Sequence, residues 1–263
     1  MLRTAALVLL ALAALYGAVL ALLAWKQEAL LFFPERLPSE HRFDVSTDVQ
    51  EAWVEAPGAR LHALHLRLQQ PRGLVFFLHG NAGSLDSWFV DLDFYRRAGY
   101  DLFMIDYRGY GKSSGRITSE AQLLADVRAA WQQVAPRYAG LRRVIVGRSL
   151  GTGPAAILAA EVQPELTILV SPYLSLQALA AEHYPWVPGA ILRYPLRTDQ
   201  ALPHLRGEVL LVHGERDALI APSHSERLQA LRPGTRFVRI AGAAHNDLQA
   251  VPAYREALLA ALR

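Results

Sequence analysis

The chain has 263 residues, a formal net charge of +3 at pH 7 and no cysteine. This length suits one large α/β domain with an additional segment. The lack of cysteine excludes disulfides. The net charge is small, and no basic tract is interleaved with aromatic residues, which argues against nucleic acid as a partner. The arginines modestly favour binding to an anionic lipid surface.

The first predicted element is an apolar helix. Residues 5–25 form a run of 21 residues without a charge, mostly Ala, Leu and Val. As a helix this run spans about 32 Å, which matches a hydrocarbon core of roughly 30 Å. The alternative, a cleaved signal peptide, has an apolar core of about 7–15 residues and a small-x-small cleavage site. Here the run ends in the interfacial pair Trp25–Lys26, so we predict an uncleaved single-pass transmembrane anchor over residues 1–26.

Positive charges flank both ends of this anchor and do not decide its orientation. Arg3 precedes it, and Lys26, Arg36 and Arg42 follow it. A short N-terminal tail before a large domain is the usual arrangement of a signal anchor. We therefore expect the large domain on the extracytoplasmic side of the membrane.

Residues 27–44 are predicted to form a linker that packs against the domain of residues 45–263. Prolines at 34 and 38 restrict its backbone without forming a helix. The alternative is that the apolar part of this segment, residues 30–33, is a lipid-facing patch near the bilayer.

Predicted strands and helices alternate through the domain. The first two strands, near residues 51–55 and 61–68, mix apolar and polar residues and indicate an antiparallel edge with one wet face. Continuous apolar runs then predict strands buried on both faces, and apolar residues at helical spacing predict the helices between them. These strands lie at residues 74–78, 101–105, 143–146, 166–170, 208–212 and 236–240, and the helices at 87–98, 119–134, 154–160, 223–231 and 247–262. The alternation predicts an α/β domain with a mostly parallel, doubly wound sheet.

One stretch, residues 173–205, interrupts this alternation. A connection of this length inside a compact domain is usually a lid or a binding insertion. We predict a small cap whose apolar side chains line an acyl pocket, with Tyr173, Tyr184, Trp186 and Ile191 as candidate substrate-binding residues. The alternative is a helical excursion on the surface that packs its own small core.

The pattern Gly-x-Ser-x-Gly occurs twice, at residues 147–151 and 111–115. The first copy follows a β-branched run and precedes a helix of small residues, which is the strand–turn–helix context of a nucleophile elbow. The second copy lies in a glycine-rich loop past its nearest strand, and it is not a P-loop because Asp106 stands where that motif needs glycine. Ser149 is therefore the predicted nucleophile.

Partners for Ser149 are sought after the later strands, because the carboxyl ends of parallel strands meet at one edge of the sheet. His245 follows the last predicted strand and is the candidate base. Asp217 lies in the loop after the preceding strand and is the candidate acid, with Glu215 in the same loop as the alternative. The resulting order of serine, aspartate and histidine is that of the α/β-hydrolase architecture.

The developing oxyanion of acyl transfer needs hydrogen-bond donors. The backbone N–H of Leu150, which follows the nucleophile, is the first candidate. The second is the N–H of Asn81 in the loop after the strand at 74–78, with Ala82 as the alternative.

Other polar residues are assigned structural roles or none. His79 and His213 lie at the ends of buried strands and are predicted to be structural. His183 and His224 are predicted to lie on the surface or in the cap. Asp106 and Arg108 are predicted to hydrogen-bond within their loop. No His-x-x-x-His, cysteine, carboxylate cluster or dinucleotide fingerprint is present, so the sequence predicts neither a metal nor a cofactor.

Four motifs resemble those of the α/β-hydrolase superfamily. They are Leu78-His79-Gly80-Asn81-Ala82-Gly83, Asp106-Tyr107-Arg108-Gly109-Tyr110-Gly111-Lys112-Ser113, Gly147-Arg148-Ser149-Leu150-Gly151-Thr152-Gly153 and Gly242-Ala243-Ala244-His245-Asn246-Asp247. Within the superfamily, the chain looks most similar to the anchored or lipid-associated group that includes protein depalmitoylating serine hydrolases. Those enzymes carry a cysteine-rich lipidated segment, where this chain has an apolar helix.

The resemblance implies an α/β-hydrolase fold and a catalytic triad. The triad beside an apolar cap and a membrane anchor predicts a serine hydrolase that cleaves carboxylic esters or thioesters of small-molecule or lipid acyl substrates through an acyl-enzyme. Related sequences of the prolyl-oligopeptidase branch imply an alternative, an aminopeptidase or amidase on the same triad. That alternative needs an acidic group to hold a peptide amine, and Glu182 is the one obvious glutamate of the cap. A third hypothesis is a non-catalytic membrane protein that uses this fold as a binding module.

Overall fold

The computed structural model describes residues 1–263 and begins with an apolar helix. Helix α1, Leu2–Trp25, has no buried residue and is the one helix of the chain long and apolar enough to cross a membrane. By length and composition it is a candidate anchor. A short helix, α2 at Gln27–Leu31, follows it directly.

Eight strands form the main sheet. They are β1 Val49–Ala56, β2 Ala59–Leu66, β3 Gly73–Leu78, β4 Tyr100–Ile105, β5 Arg142–Arg148, β6 Leu166–Val170, β7 Glu208–Gly214 and β8 Arg236–Ile240. Their spatial order is β1-β2-β4-β3-β5-β6-β7-β8, and β2 runs in the direction opposite to the other seven strands. The predicted α/β fold with a mostly parallel sheet is confirmed. The loops after β3, β5, β7 and β8 consequently meet at one edge.

Eight further helices follow α2. They are α3 Leu85–Trp88, α4 Leu92–Ala98, α5 Glu120–Val134, α6 Thr152–Val162, α7 Leu176–His183, α8 Thr198–Ala201, α9 Ser223–Leu231 and α10 Pro252–Leu262. The strands of the sheet interior are apolar throughout because both of their faces are covered. Side chains of β3 alternate between two layers: Phe76 packs with α5 and α6, and Phe77 packs with α4 and α10.

Two predicted helices differ from the structure. The single helix predicted at 87–98 is divided into α3 and α4, because Asp91 between them has φ of 55° and cannot continue a right-handed helix. The last helix begins at Pro252 and not at 247. Proline has no N–H to donate and fits the first helical position, so residues 248–250 form a separate 3₁₀ turn.

The segment after α1 is packed on the domain. Phe32 is buried, and its ring meets the ring of Tyr194 edge-on at 5.2 Å between centroids. Phe33–Pro34 pairs in parallel with Ala82–Gly83 of the loop after β3. This pairing joins the segment after α2 to the loop after β3, at the edge where the parallel strands have their carboxyl ends.

Residues 173–205, the predicted cap, contain α7, α8 and two 3₁₀ turns at Gly189–Ile191 and Leu202–His204. Helix α2 is hydrogen-bonded to this region. The buried Gln27 side chain donates to the carbonyl of Ile191 at 3.0 Å and accepts from the N–H of Arg193 at 2.6 Å. The end of the candidate anchor and the cap are thereby held together.

A buried histidine makes stability sensitive to acid. Burial lowers the pKa of His65 from 6.5 to about 4, and its Nε2 lies 2.7 Å from the hydroxyl of Tyr138. The unfolded chain takes up a proton near pH 6.5, whereas the folded chain keeps this ring neutral until about pH 4. The stabilisation is therefore present above pH 6.5 and falls by about 3 kcal/mol as the pH drops to 4.

We expect the thermal midpoint of detergent-solubilised protein to fall less between pH 7.5 and 4.5 in His65→Phe than in the wild type. Phenylalanine keeps an aromatic ring but cannot titrate. Equal losses in the two proteins would contradict the assignment to His65.

Candidate active site

Ser149 lies on a sharp turn between β5 and α6. Its φ is 50°, in the left-handed region that is costly for a residue other than glycine. The flanking glycines allow the turn because a Cβ at Gly147 would lie 2.5 Å from the carbonyl oxygen of Gly151, and a Cβ at Gly151 would lie 2.1 Å from that of Leu78. The turn presents the serine hydroxyl at the edge of the sheet where the other loops meet.

Three polar side chains predicted from the sequence are brought together at this edge. The Oγ of Ser149 lies 3.0 Å from Nε2 of His245, and Nδ1 of His245 lies 2.7 Å from Oδ2 of Asp217. All three residues are buried. The arrangement is that of a nucleophile, a base and a carboxylate that orients the base.

The Asp217 carboxylate is held by several donors. Burial by itself raises the pKa of this carboxyl, but hydrogen bonds from His213 and His245 outweigh burial and lower the pKa well below its usual value. Its second oxygen accepts backbone N–H groups of Leu219 at 3.0 Å and Ile220 at 2.8 Å. The carboxylate therefore stays ionised at neutral pH and fixes the tautomer in which Nδ1 of His245 carries the proton.

Two histidines near the site have structural contacts. Nε2 of His213 donates to the carbonyl of Ile220 at 2.8 Å, which agrees with the structural role predicted for it. His224 was predicted to lie on the surface or in the cap, but the structure buries it. Its Nδ1 accepts a hydrogen bond from the N–H of Leu174 at 3.0 Å. Its Nε2 lies 3.0 Å from Glu182, and this contact draws α9 and α7 together.

The loop after β3 carries the predicted second oxyanion donor, Asn81. His79 is buried, and its Nδ1 donates to the carbonyl of Gly80 at 2.8 Å. This bond fixes the peptide plane whose other end is the N–H of Asn81, since the C=O and N–H of a trans peptide point in opposite directions. Asn81 and Leu150 both line the cavity that contains Ser149. Their role as oxyanion donors stays a prediction.

The cavity at Ser149 has a volume of about 250 Å³ and mostly apolar walls. Of the four predicted substrate-binding residues, Tyr173 and Tyr184 line it. Trp186 and Ile191 line an adjoining cavity of about 290 Å³. Both cavities share four wall residues: Leu30, Leu31, Ala180 and Tyr184.

The contribution of α2 to these walls was not predicted from the sequence. Leu30 and Leu31 line the Ser149 cavity, although the segment was predicted only to pack as a linker or to face lipid. The signal available in the sequence was the apolar run at 30–33 beside an otherwise polar segment. Its position over the nucleophile depends on pairing with a loop far away in sequence.

The competing serine motif has a structural role. Oγ of Ser113 accepts from the N–H of His62 and donates to the carbonyl of Asp106, each at 2.8 Å. Arg108 in the same loop forms a buried bidentate pair with Asp126. The bond between Ser113 and Asp106 agrees with the loop role predicted for Asp106. The prediction for Arg108 was wrong, because its partners, Asp126 of α5 and the carbonyl of Pro57, lie outside its loop.

The strand order, the elbow and the Ser–His–Asp geometry define an α/β hydrolase. The family described as "Serine aminopeptidase, S33" matches residues 69–197. An uncharacterised protein of Mycobacterium tuberculosis is 31% identical over 255 residues, which cover 93% of this chain and 90% of that protein. Alpha/beta hydrolase domain-containing protein 17C of Xenopus tropicalis is 31% identical, over 78% of this chain and 67% of that protein. The chain belongs to the α/β-hydrolase superfamily.

Alpha/beta hydrolase domain-containing protein 17B of Homo sapiens is 34% identical over 194 residues, but these cover only 64% of that protein and 70% of this chain. Among solved structures, an esterase of Pyrococcus furiosus superposes with a TM-score of 0.68 at 18% identity, over 88% of this chain and 96% of that one. Est1E of Butyrivibrio proteoclasticus, solved with ferulic acid bound, gives 0.64 at 18% identity, over 80% and 96%. At these identities the structural similarity establishes the fold.

Proposed function

We propose that the protein is a membrane-anchored serine hydrolase that cleaves carboxylic esters or thioesters through an acyl-enzyme. The observation that carries the proposal is the hydrogen-bonded chain from Ser149 through His245 to Asp217, with distances of 3.0 and 2.7 Å. The nucleophile opens into an apolar cavity, which supports an acyl group as the part of the substrate bound there.

In the first half of the reaction, Nε2 of His245 takes the proton of the Ser149 hydroxyl as its oxygen attacks the carbonyl carbon. The N–H groups of Leu150 and Asn81 stabilise the oxyanion that forms. Asp217 stabilises the imidazolium. The imidazolium then gives its proton to the leaving alcohol or thiol, and the acyl group remains on Ser149.

In the second half, His245 takes a proton from water as the water oxygen attacks the acyl carbon. The tetrahedral intermediate collapses, the carboxylic acid leaves, and the proton on His245 returns to Ser149. This cycle requires only groups present in the chain and water.

The two adjoining cavities support an extended acyl chain as substrate. The second cavity continues the first through four shared wall residues and is bounded by Leu23 of α1 and Ile191 of the cap. Each methylene transferred from water to an apolar site contributes about 0.8 kcal/mol. A chain that reaches the second cavity therefore binds better than one confined to the first.

The contact between α1 and the cap supports a substrate drawn from the bilayer. The hydroxyl of Tyr16 donates to the carbonyl of Trp186 at 2.8 Å. Tyr16 lies nine residues before the interfacial Trp25, which is about 14 Å along a helix. If α1 spans the membrane, the exposed side chains of Tyr184 and Trp186 enter the apolar layer beside the mouth of the cavities.

We further propose that the active site lies on the extracytoplasmic side of the membrane. Protease protection in sealed membranes tests this orientation.

Labelling and turnover test the proposed reaction. We expect purified full-length protein to react with a fluorophosphonate probe and to hydrolyse p-nitrophenyl acyl esters. If correctly folded protein does neither, the non-catalytic binding module becomes the better interpretation.

The chain-length dependence of turnover tests the acyl substrate. We expect kcat/KM to rise by up to about fourfold for each methylene added between butyrate and dodecanoate esters. Ala181 is exposed on α7 and lines only the second cavity, so Ala181→Phe is expected to remove the gain for long chains and to keep butyrate turnover. The matched control is Ala260→Phe on the exposed face of α10. A wild-type profile without chain-length dependence contradicts the acyl pocket but leaves the triad intact.

The match to a family described as a serine aminopeptidase favours peptide cleavage as the second candidate. That reaction needs an acidic group near Ser149 to hold the peptide amine. Glu182 does not line the Ser149 cavity and is paired with His224 and Arg227. We therefore rank ester hydrolysis first, and faster turnover of peptide–amidomethylcoumarin than of esters would reverse this ranking.

A further inference from the structure

Arg148 precedes the nucleophile and points to the opposite face of the sheet. A Cβ at Gly147 would meet Ala155 of α6 at 2.6 Å, so Gly147 faces α6 and the next residue of the strand faces the other layer. There Arg148 lines a cavity of about 460 Å³ between α4 and α10. This cavity is separate from the one that contains Ser149, and no step of the proposed reaction uses it.

The guanidinium of Arg148 is buried without a carboxylate partner. The residue is 4% exposed, and its Nη2 donates to the backbone carbonyl of His245 at 2.8 Å. Its Nη1 is buried and has no hydrogen-bond partner in the chain. Burial lowers the pKa of Arg148, and the negative charge of Asp217 offsets only part of this loss of solvation. A buried charge with an unpaired donor is costly unless an anion completes its contacts.

The other charges at the cavity neutralise one another. Arg255 and Asp91 both line it, and they form a pair with N···O distances of 2.8 and 2.9 Å. Asp217 does not line the cavity, and its carboxylate is hydrogen-bonded to His245. Arg148 is therefore the source of positive charge that faces the cavity.

The walls around this charge are apolar and aromatic. They include Trp88, whose ring lies 5.6 Å from the guanidinium, and Phe94, Tyr95, Tyr254 and Leu258. Fork-shaped guanidinium groups bind planar carboxylates and phosphates well, and apolar walls favour a ligand with a hydrocarbon body. We propose that this cavity binds an amphiphilic oxyanion, a carboxylate or phosphate monoester attached to an apolar group, with Nη1 of Arg148 as its donor.

Binding at this cavity would reach the active site through one residue. The same guanidinium holds the carbonyl of His245 through Nη2, so an anion on Nη1 fixes the side chain that supports the loop of the base.

Calorimetric titration of the full-length protein tests the site without reference to activity. The probes are hexanoate, hexyl phosphate, hexanol and inorganic phosphate. We expect both amphiphilic anions to bind, and hexanol and inorganic phosphate to bind about tenfold more weakly or worse. Equal binding of inorganic phosphate and hexyl phosphate would overturn the apolar part of the site, and equal binding of hexanol and hexanoate would overturn the role of charge.

Two variants locate the binding. Arg148→Met keeps an unbranched side chain of similar volume without the charge, and we expect it to weaken hexanoate about tenfold or more. Gln249→Trp fills the half-buried rim of the cavity, keeps Arg148 and is expected to weaken both anions, whereas Gln132→Trp on the exposed face of α5 is the matched control. Unchanged hexanoate affinity in folded Gln249→Trp would show that the ligand binds elsewhere and would overturn the proposal.

Discussion

Ser149→Ala is expected to lower kcat/KM for a p-nitrophenyl ester by about 10⁴-fold or more and to abolish fluorophosphonate labelling. The physical reason is that the variant has no nucleophilic oxygen at the elbow, while the cavity and the oxyanion donors remain. Residual turnover would then reflect binding and electrostatic stabilisation alone. Steady-state kinetics and labelling of the same preparation measure both effects.

Ser113→Ala is the control that the chain itself supplies. It removes a serine from the second Gly-x-Ser-x-Gly motif and breaks two loop hydrogen bonds, to His62 and Asp106. We expect a loss of stability with labelling retained in the folded fraction. Labelling that survives in Ser149→Ala and disappears in Ser113→Ala would show that the nucleophile was assigned to the wrong motif.

Asp217→Asn is expected to lower kcat by about 10⁴-fold with little change of KM. The amide is nearly isosteric, but it can donate to Nδ1 of His245 and so favours the tautomer in which Nε2 carries the proton. The base is then unable to accept the proton of Ser149. The lost negative charge also leaves the imidazolium unstabilised.

Glu215→Gln provides the matched comparison, because Glu215 lies in the same loop and was the alternative acid. The structure has it exposed, and it does not contact His245. We expect its kcat to be within about twofold of the wild type, as for most surface substitutions. A large loss in Glu215→Gln with little loss in Asp217→Asn would reverse the assignment of the acid.

The edge where Ser149, His245 and Asp217 meet could be predicted from the sequence because its signals are local. A β-branched strand, glycine, serine, glycine and a helix of small residues are contiguous, and each loop that carries Asp217 or His245 directly follows an apolar run. The carboxyl ends of parallel strands all lie at the same edge of the sheet, so these loops are expected on one side of the domain. The sequence therefore identified which residues approach one another without any knowledge of the distances between them.

Helix boundaries were predicted less well where one residue changes the backbone. The division of the helix at 87–98 depends on the positive φ of Asp91, and aspartate occurs in many helices without interrupting them. The late start of α10 had a visible signal in Pro252, which the apolar periodicity from 247 onward obscured.

By itself the sequence determined the α/β class, the elbow at Ser149 and the apolar N-terminal helix, because the pattern that predicts each of them lies in neighbouring residues. Only the tertiary structure decided that Leu30 and Leu31 line the Ser149 cavity and that His224 is buried. It also decided that Arg148 lines the separate cavity between α4 and α10. Each of these depends on contacts between segments far apart in the chain. The side of a strand on which a residue lies, and what covers that side, is settled only when the layers pack.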